Sequence, residues 1–172
     1  KESIMLTATD AGWVNGHTYA FYGPLLCGST TVILEELSEI SNPEYLNFIL
    51  NTCGVTCFYA TVTLLRTIRQ NALINNIAEH PKHSRKLDRI GSCGEPLAND
   101  VGKWIIDYLN PDRKSIVNTY FQTETGGIIC SPKYNLKKPK ISHGTVGKPV
   151  NKYFKISLEK KFSRKESEIK IT

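Results

Sequence analysis

Residues 87–119 read LDRIGSCGEPLANDVGKWIIDYLNPDRKSIVNT, and this stretch carries in order the patterns of a strand, a turn, a helix and a second strand. The first strand is predicted over residues 87–92, and Gly94-Glu95-Pro96 predicts a turn directly after it. Residues 99–109 place their apolar side chains at helical spacing, and residues 115–119 form the next β-branched run. Two strands joined through a helix are typical of a parallel sheet.

The chain before this stretch repeats the same alternation. Residues 31–34 predict a strand, and Ser41-Asn42-Pro43-Glu44 predicts the start of a helix by its capping box and early proline. Gly54 ends that helix, residues 55–59 predict a buried strand, and residues 62–68 return to helical spacing. The predicted fold class is therefore α/β, a mostly parallel sheet flanked by helices. Ligands of such sheets bind at the carboxyl ends of the strands.

The last predicted strand leads into residues 118–130, NTYFQTETGGIIC, which are too polar to fill a core. Thr123 and Thr125 offer hydroxyls to phosphate oxygens, and Glu124 offers a carboxylate to a magnesium ion. Gly126 and Gly127 would let a ligand approach the backbone closely. These residues alone are equally consistent with a turn whose hydroxyls satisfy its own backbone.

Two aromatic residues, Tyr120 and Phe121, precede this loop. In a nucleotide site one ring can stack on the base while the other faces the substrate, although both rings could equally belong to the core. Glu95, beside Pro96, is open to the same two readings, as a plain turn residue or as one wall for a planar ligand.

Composition limits the classes of function. The 172 residues, 40% of them hydrophobic, suit a single domain with a real core. The net charge of +6 is not gathered into one stripe, and its densest parts, residues 133–140 and 155–165, read as solvated surface, with contact to phosphates as the alternative. We therefore expect no nucleic-acid partner.

The cysteines and the apolar runs bear on the cellular compartment of the protein and on membrane association. Five cysteines without a CxxC pair argue against a zinc ribbon and for buried thiols in a reducing compartment. His80 and His83 read as an exposed loop rather than a metal site. No apolar run approaches the ~20 residues of a membrane span, so we expect no membrane partner and a cytoplasmic location.

Four motifs together resemble those of the AMP-forming acetyl-CoA synthetases, within the adenylate-forming superfamily. In order along the sequence they are DAGWVNGH (residues 10–17), YGPL (22–25), GEP (94–96) and QTETGG (122–127). The resemblance covers about residues 5–150. It implies that a carboxylate attacks the α-phosphate of magnesium ATP to give acyl-AMP, and that coenzyme A then displaces AMP. The implied ligands are ATP or AMP, Mg²⁺, coenzyme A and acetate.

The resemblance also implies the residues of the site. The nucleotide side, which encloses the adenine and approaches the phosphates, comprises Gly94, Glu95, Pro96, Asn118, Thr119, Tyr120, Gln122 and Thr123. The catalytic pair implied is Thr123, at the α-phosphate, and Glu124, the magnesium ligand. The acyl side, which encloses the short acid, comprises Val14, Asn15, Cys93 and Phe121.

Several residues depart from the usual pattern of these enzymes. Tyr120 and Phe121 replace two tryptophans, and Asn118 replaces an aspartate. Asn15 and Cys93 stand where threonine and valine are common. These changes leave the preferred acid open, so a propionyl-CoA or other short-chain acyl-CoA synthetase is an alternative, as is a non-catalytic nucleotide-binding relative.

The resemblance further predicts the domain organisation. Residues 1–150 are expected to be part of the large AMP-binding domain, and residues 151–172 the start of the next β subdomain. The upstream phosphate loop and the C-terminal domain with the catalytic lysine have no counterpart in the sequence. We therefore expect an internal piece of a longer enzyme, inactive alone, whose exposed sheet edge and apolar face could be covered in a homo-oligomer.

Overall fold

The centre of the molecule is a five-stranded parallel sheet. The computed structural model describes residues 3–77, 86–109, 116–132, 144–159 and 168–171. The strands are β1 (Ile4–Ala8), β2 (Thr30–Val32), β3 (Cys57–Thr61), β4 (Arg89–Cys93) and β5 (Ile116–Asn118), in the spatial order β2-β1-β3-β4-β5. All four pairings are parallel. The predicted α/β fold class is confirmed.

Helices connect these strands. A π-helix (Gly16–Tyr22) runs into α1 (Gly23–Leu26), and a 3₁₀ turn (Ser38–Ser41) precedes α2 (Pro43–Thr52). The remaining helices are α3 (Val62–Ile74) and α4 (Asn99–Leu109). Asn42 caps α2, because its side chain accepts hydrogen bonds from the amides of Glu44 and Tyr45. Proline at the first position supports the same start, so the cap lies one residue after the predicted serine.

Two smaller antiparallel sheets follow the parallel one. The first contains β6 (Tyr120–Phe121), β7 (Ile128–Ser131) and β8 (Lys148–Pro149), and β7 pairs with both neighbours. The second pairs β9 (Ile156–Glu159) with β10 (Glu168–Ile171). The segment between β9 and β10 lies outside the described residues.

One apolar core joins the parallel sheet to α2, α3 and α4. Its fully buried side chains come from both the strands and the helices. They include Leu6, Phe58, Ile90, Ile116, Leu46, Leu50, Leu65, Ile68 and Ile105. Burying a side chain of this size contributes ~1.5–3 kcal/mol. The core therefore holds the strands rigidly and fixes the positions of their carboxyl ends.

The structure corrects some sequence expectations. The first strand, β1, was not predicted, and β3 begins at Cys57 rather than at residue 55. Of the five cysteines, Cys27 is exposed, contrary to the expectation of buried thiols. His80, His83 and residues 133–140 lie outside the described residues. Within the described part of the chain, none of the helices has the length and apolar character to cross a bilayer.

Candidate functional site

The predicted site residues follow the carboxyl ends of β1, β4 and β5. Because these strands are parallel members of one sheet, their carboxyl ends share one edge. The strand that follows β1 in the chain, β2, pairs with one edge of β1, and the next strand, β3, pairs with its other edge. The order in which strands are added to the sheet therefore reverses at β1. Ligands of open parallel sheets bind at such a reversal.

A tight turn after β1 brings Asn15 to the site. The Asp10 carboxylate accepts a hydrogen bond from the Gly12 amide at 2.6 Å. Gly16 packs so closely against this turn that a Cβ there would lie 2.4 Å from the Asp10 carbonyl oxygen. Asn15 is consequently buried, and its Nδ2 donates to Cys93 Sγ at 3.8 Å. Two residues of the predicted acyl side, 78 positions apart, therefore touch.

Cys93, the last residue of β4, presents a neutral thiol on the acyl side. Its side chain is 1% exposed, and this burial raises the pKa of the thiol above its ordinary value. Hydrogen bonds with Tyr59 and Asn15 act in the opposite direction but do not reverse the shift. The thiol is therefore protonated near neutral pH, which makes it a poor nucleophile.

Phe121 reaches the acyl side through an aromatic contact. Its ring lies edge-on to Tyr19, with centroids 6.1 Å apart, and Tyr19 lies edge-on to Tyr59 at 5.6 Å. The Tyr19 hydroxyl accepts a hydrogen bond from the Ile128 amide at 2.6 Å, which ties the π-helix to β7. Tyr19 and Tyr59 were missed because an aromatic residue in an apolar run has no local signal that separates a site from a core. Val14 is half-buried beside Asn15.

On the nucleotide side, the GEP turn is present as predicted. Gly94 has φ +89°, a backbone region in which glycine is favoured. The Glu95 carboxylate accepts hydrogen bonds from the Thr63 hydroxyl and, at 2.7 Å, from Arg66 Nη1. The Thr63 hydrogen bond is the main cause of the lowered pKa of Glu95, with Arg66 assisting. Pro96 is exposed next to this ionised carboxylate.

Asn118 and Thr119 face the interior from the end of β5. Asn118 is 1% exposed, and its Oδ1 accepts a hydrogen bond from Ser92 Oγ at 3.1 Å. Its Nδ2 is buried and has no hydrogen-bond partner among the described residues. Thr119 Oγ1 donates to the Ser92 carbonyl oxygen at 2.9 Å. Their side chains thus brace β5 against β4, and Tyr120, the next residue, is half-buried.

The QTETGG loop (residues 122–127) is a 3₁₀ turn over Thr123–Thr125 closed by Gly126 at φ +69°. Thr125 does not match the expected phosphate contact, because its hydroxyl donates to the Gln122 carbonyl oxygen at 2.8 Å and accepts from the Gln122 amide. It acts as a self-satisfying turn residue. Gly127 packs against Tyr19.

Thr123 and Glu124 differ from Thr125. Both are exposed, and in the part of the chain that the structure describes their side chains make no hydrogen bond or ion pair. The loop itself is anchored, since Thr18 Oγ1 donates to the Gly126 carbonyl oxygen at 3.3 Å. A free hydroxyl and a free carboxylate on an anchored turn fit a phosphate and a hard cation.

A cleft of about 530 Å³ opens beside the end of β1. It is lined by the end of β1, the π-helix and residues 32–35. Every residue predicted for the nucleotide and acyl sides lies elsewhere. The residues that the sequence predicts for the site therefore lie at the strand ends and not in the cleft.

Comparison with known proteins gives the family of the chain. A model of the AMP-binding enzyme family matches residues 1–161. The chain is 37% identical over 134 residues to "Acetyl-coenzyme A synthetase 1" of Debaryomyces hansenii, covering 77% of this chain and 19% of that protein. It is 39% identical over 134 residues to "Acetyl-coenzyme A synthetase" of Xanthomonas oryzae pv. oryzae, covering 77% and 20%.

A further relative is "Acetyl-coenzyme A synthetase 1" of Saccharomyces cerevisiae, 37% identical over 140 residues, covering 77% of this chain and 18% of that protein. The chain thus spans about a fifth of the length of these curated relatives. The family model, in contrast, covers nearly the whole chain and all of the strand ends described above. This chain belongs to the AMP-binding enzyme family.

Proposed function

We propose that the full-length protein containing this chain is an AMP-forming acetate–CoA ligase. In the first step a carboxylate oxygen of acetate bonds to the α-phosphorus of ATP, and pyrophosphate leaves. In the second step the thiol of coenzyme A bonds to the acyl carbon, and AMP leaves with the oxygen it gained. The printed names of the relatives support the reaction class.

The observation that carries the proposal is the contact between Asn15 and Cys93. Their 3.8 Å contact closes the acyl side with two small, neutral polar groups, and Phe121 borders it through Tyr19. A small acid needs such a closely walled site, because each methylene that fits gains only ~0.8 kcal/mol while a collision costs ~1–3 kcal/mol. The walls therefore decide the length of the acid.

The nucleotide would lie between the GEP turn and residues 118–120, with its phosphates toward the QTETGG loop. Chemistry of this kind depends on positioning and charge stabilisation rather than on a protein nucleophile. Thr123 supplies a hydroxyl for the α-phosphate, and Glu124 supplies a free carboxylate that would hold Mg²⁺, which neutralises charge on the phosphates when bound. Both side chains are exposed and make no hydrogen bond or ion pair with the residues that the structure describes, which supports these roles.

Propionate is the second candidate acid. The enzymes that this chain resembles usually have a tryptophan at this position. Because phenylalanine is smaller than tryptophan, Phe121 leaves more room at the end of the acyl side. We therefore propose acetate as the preferred acid and propionate as a tolerated one.

The unpaired thiols of Cys93 and Cys130 are both buried, and they support a reducing compartment such as the cytoplasm.

Pyrophosphate release by the purified full-length protein tests the proposal. With ATP and magnesium, we expect release to depend on acetate, and AMP with acetyl-CoA to form only when coenzyme A is added. Glu124→Gln is the matched control, because it removes the charge and keeps the shape. Acetate-independent release, or equal release by the control, would contradict the proposal.

A further inference from the structure

Two neighbouring residues of the π-helix hold the carboxyl end of the QTETGG loop. The hydroxyl of Tyr19 accepts a hydrogen bond from the Ile128 amide, directly after the paired glycines, at 2.6 Å. Thr18 Oγ1 donates to the Gly126 carbonyl oxygen at 3.3 Å. These contacts join residues 109 and 108 positions apart. The place where the loop ends is therefore set by a distant segment of the chain.

The helix type explains how adjacent residues reach the same loop. The helix over Gly16–Tyr22 is a π-helix, whose hydrogen bonds run from residue i to residue i+5. It has more residues per turn than an α-helix, so the directions of successive side chains differ less. Thr18 and Tyr19 can therefore both face the loop. Helices of this type are rare and occur frequently at functional sites.

The π-helix is itself held by the parallel sheet. Thr7 Oγ1 on β1 donates to the Tyr19 carbonyl oxygen at 2.7 Å. Thr31 Oγ1 on β2 donates to the Ala20 carbonyl oxygen at 2.6 Å. The Tyr19 ring also packs edge-on against Tyr59 of β3, with centroids 5.6 Å apart. The backbone and the ring of Tyr19 are thus fixed relative to three strands, and its hydroxyl transmits that position to the loop.

The loop has few other contacts that could fix its position. It connects β6 to β7, and the pairing of these strands shifts register between Tyr120 and Phe121, immediately before the loop. The side chains of Thr123 and Glu124 are exposed and bind no other group in the described part of the chain. Their positions relative to the sheet therefore depend on the backbone of the loop and on the hydrogen bonds that hold its end.

We propose that Tyr19 is a positioning residue that holds the QTETGG loop where Thr123 and Glu124 reach the phosphates and the magnesium ion. This inference rests on the proposed function, since it assigns those ligands to the loop. The Tyr19 hydroxyl acts through the Ile128 amide, and Thr18 provides a second, longer hydrogen bond to the same end of the loop.

Tyr19→Phe in the full-length protein tests this, because it removes the hydroxyl and keeps the ring. One hydrogen bond corresponds to a change of about two- to tenfold. We expect the rate of acetyl-AMP formation at saturating acetate, ATP and magnesium to fall by that factor. The preference for acetate over propionate should not change, because the ring still packs against Phe121, with centroids 6.1 Å apart in the unmodified protein.

A double variant separates positioning from a general loss of active protein. In the Glu124→Gln protein, Tyr19→Phe should slow acetyl-AMP formation by a smaller factor than in the unmodified protein, because the carboxylate that the loop positions is already absent. A general loss of active protein would give the same factor in both proteins. Equal factors would therefore contradict the inference.

Thr18 provides the test even where Tyr19→Phe does not fold. Thr18→Val keeps the shape of the side chain and removes its hydrogen bond to Gly126, so it should slow acetyl-AMP formation. The factor should be smaller than for Tyr19→Phe, because this hydrogen bond is longer. Thr18→Ser keeps the hydroxyl and should retain the rate. Equal rates for Thr18→Val and Thr18→Ser would contradict the inference.

Tyr22→Phe is the matched control. Tyr22 is the last residue of the same π-helix and is 59% exposed, and its hydroxyl makes no hydrogen bond to any residue that the structure describes. This control should leave the rate unchanged. If the unmodified protein forms acetyl-AMP and Tyr19→Phe does so as fast as Tyr22→Phe, the inference is wrong. If the unmodified protein forms no acetyl-AMP, the proposed function is wrong and the inference with it.

Discussion

The acyl side and the QTETGG loop are built in opposite ways. On the proposed acyl side, Asn15 and Cys93 are buried and contact each other although they lie 78 positions apart in the chain. In the loop, Thr123 and Glu124 are exposed and unpaired among the described residues. If the proposed site is correct, contacts within the protein complete the acyl side, whereas the loop keeps its functional groups free for a ligand.

The largest expected effect is that of Glu124→Gln. An exposed side chain without contacts contributes little to folding, so the free energy of unfolding should change by less than ~0.5 kcal/mol. The rate of acetyl-AMP formation by the full-length protein should nevertheless fall by about 10²–10³-fold, the usual cost of losing one charge-stabilising group. Pyrophosphate release and urea unfolding measure the two quantities.

Glu36→Gln is the control for this change, since Glu36 is also an exposed glutamate but lies away from the site. It should leave both quantities unchanged. If the Glu124→Gln protein forms acetyl-AMP at the normal rate, the loop does not keep Glu124 free for a ligand.

Gly91→Ala tests how tightly the acyl side is packed. The added methyl group would collide with the Tyr59 ring, and overpacking of this kind costs ~1–3 kcal/mol. We expect the urea midpoint to fall accordingly. Gly144→Ala is the control, because a Cβ there would have its nearest neighbour, the Leu97 carbonyl oxygen, at 3.7 Å. Equal stability of the two variants would mean that the acyl side is not tightly packed.

Phe121 sharpens the comparison by changing the size of the acyl side. Phe121→Gly should move the preferred acid toward longer chains, with a gain of about fourfold in kcat/KM per accommodated methylene. Acetate should be used less well because it loses its packing. Phe121→Trp should act in the opposite direction and exclude propionate. An unchanged ranking of the C2 to C6 acids in both variants would place Phe121 outside the pocket.

The smallest expected effect is a dependence of stability on pH. Burial raises the pKa of Cys93 in the folded state, so its contribution to stability is present below the unfolded value and is lost as pH rises above it. The ordinary value is 9.0. Unfolding measured from pH 7 to pH 10 should therefore show a decline that is shallower in Cys93→Ala than in the unmodified protein.

The sequence was sufficient for elements with a strong local pattern. The helices α2, α3 and α4 and the strands β4 and β5 follow from apolar spacing and from turn residues such as Gly94 and Gly54. β1 was missed, because the stretch IMLTA carries no clear alternation and becomes a strand through its pairing with β2 and β3. Local periodicity holds no information about such distant partners.

The same limit applies to the site. Asn15 and Cys93 were grouped only through resemblance, and their contact joins residues 78 positions apart. Tyr59 and Thr119, 60 positions apart, were not connected at all. For Thr125, both the turn role and the phosphate role were consistent with the sequence, and the conformation of the loop decided for the turn.

The strand order also has a consequence for folding during synthesis on the ribosome. β1 is synthesised first of the five strands, yet its neighbour β3 begins only at Cys57. At ~5–20 residues per second, several seconds pass before β3 is available to pair with β1. During this interval the edge of β1 that pairs with β3 lacks its native partner and can pair with another chain. Slowing elongation between β2 and β3, for example with rare codons, would lengthen this interval and lower the yield of native protein without changing one residue of it.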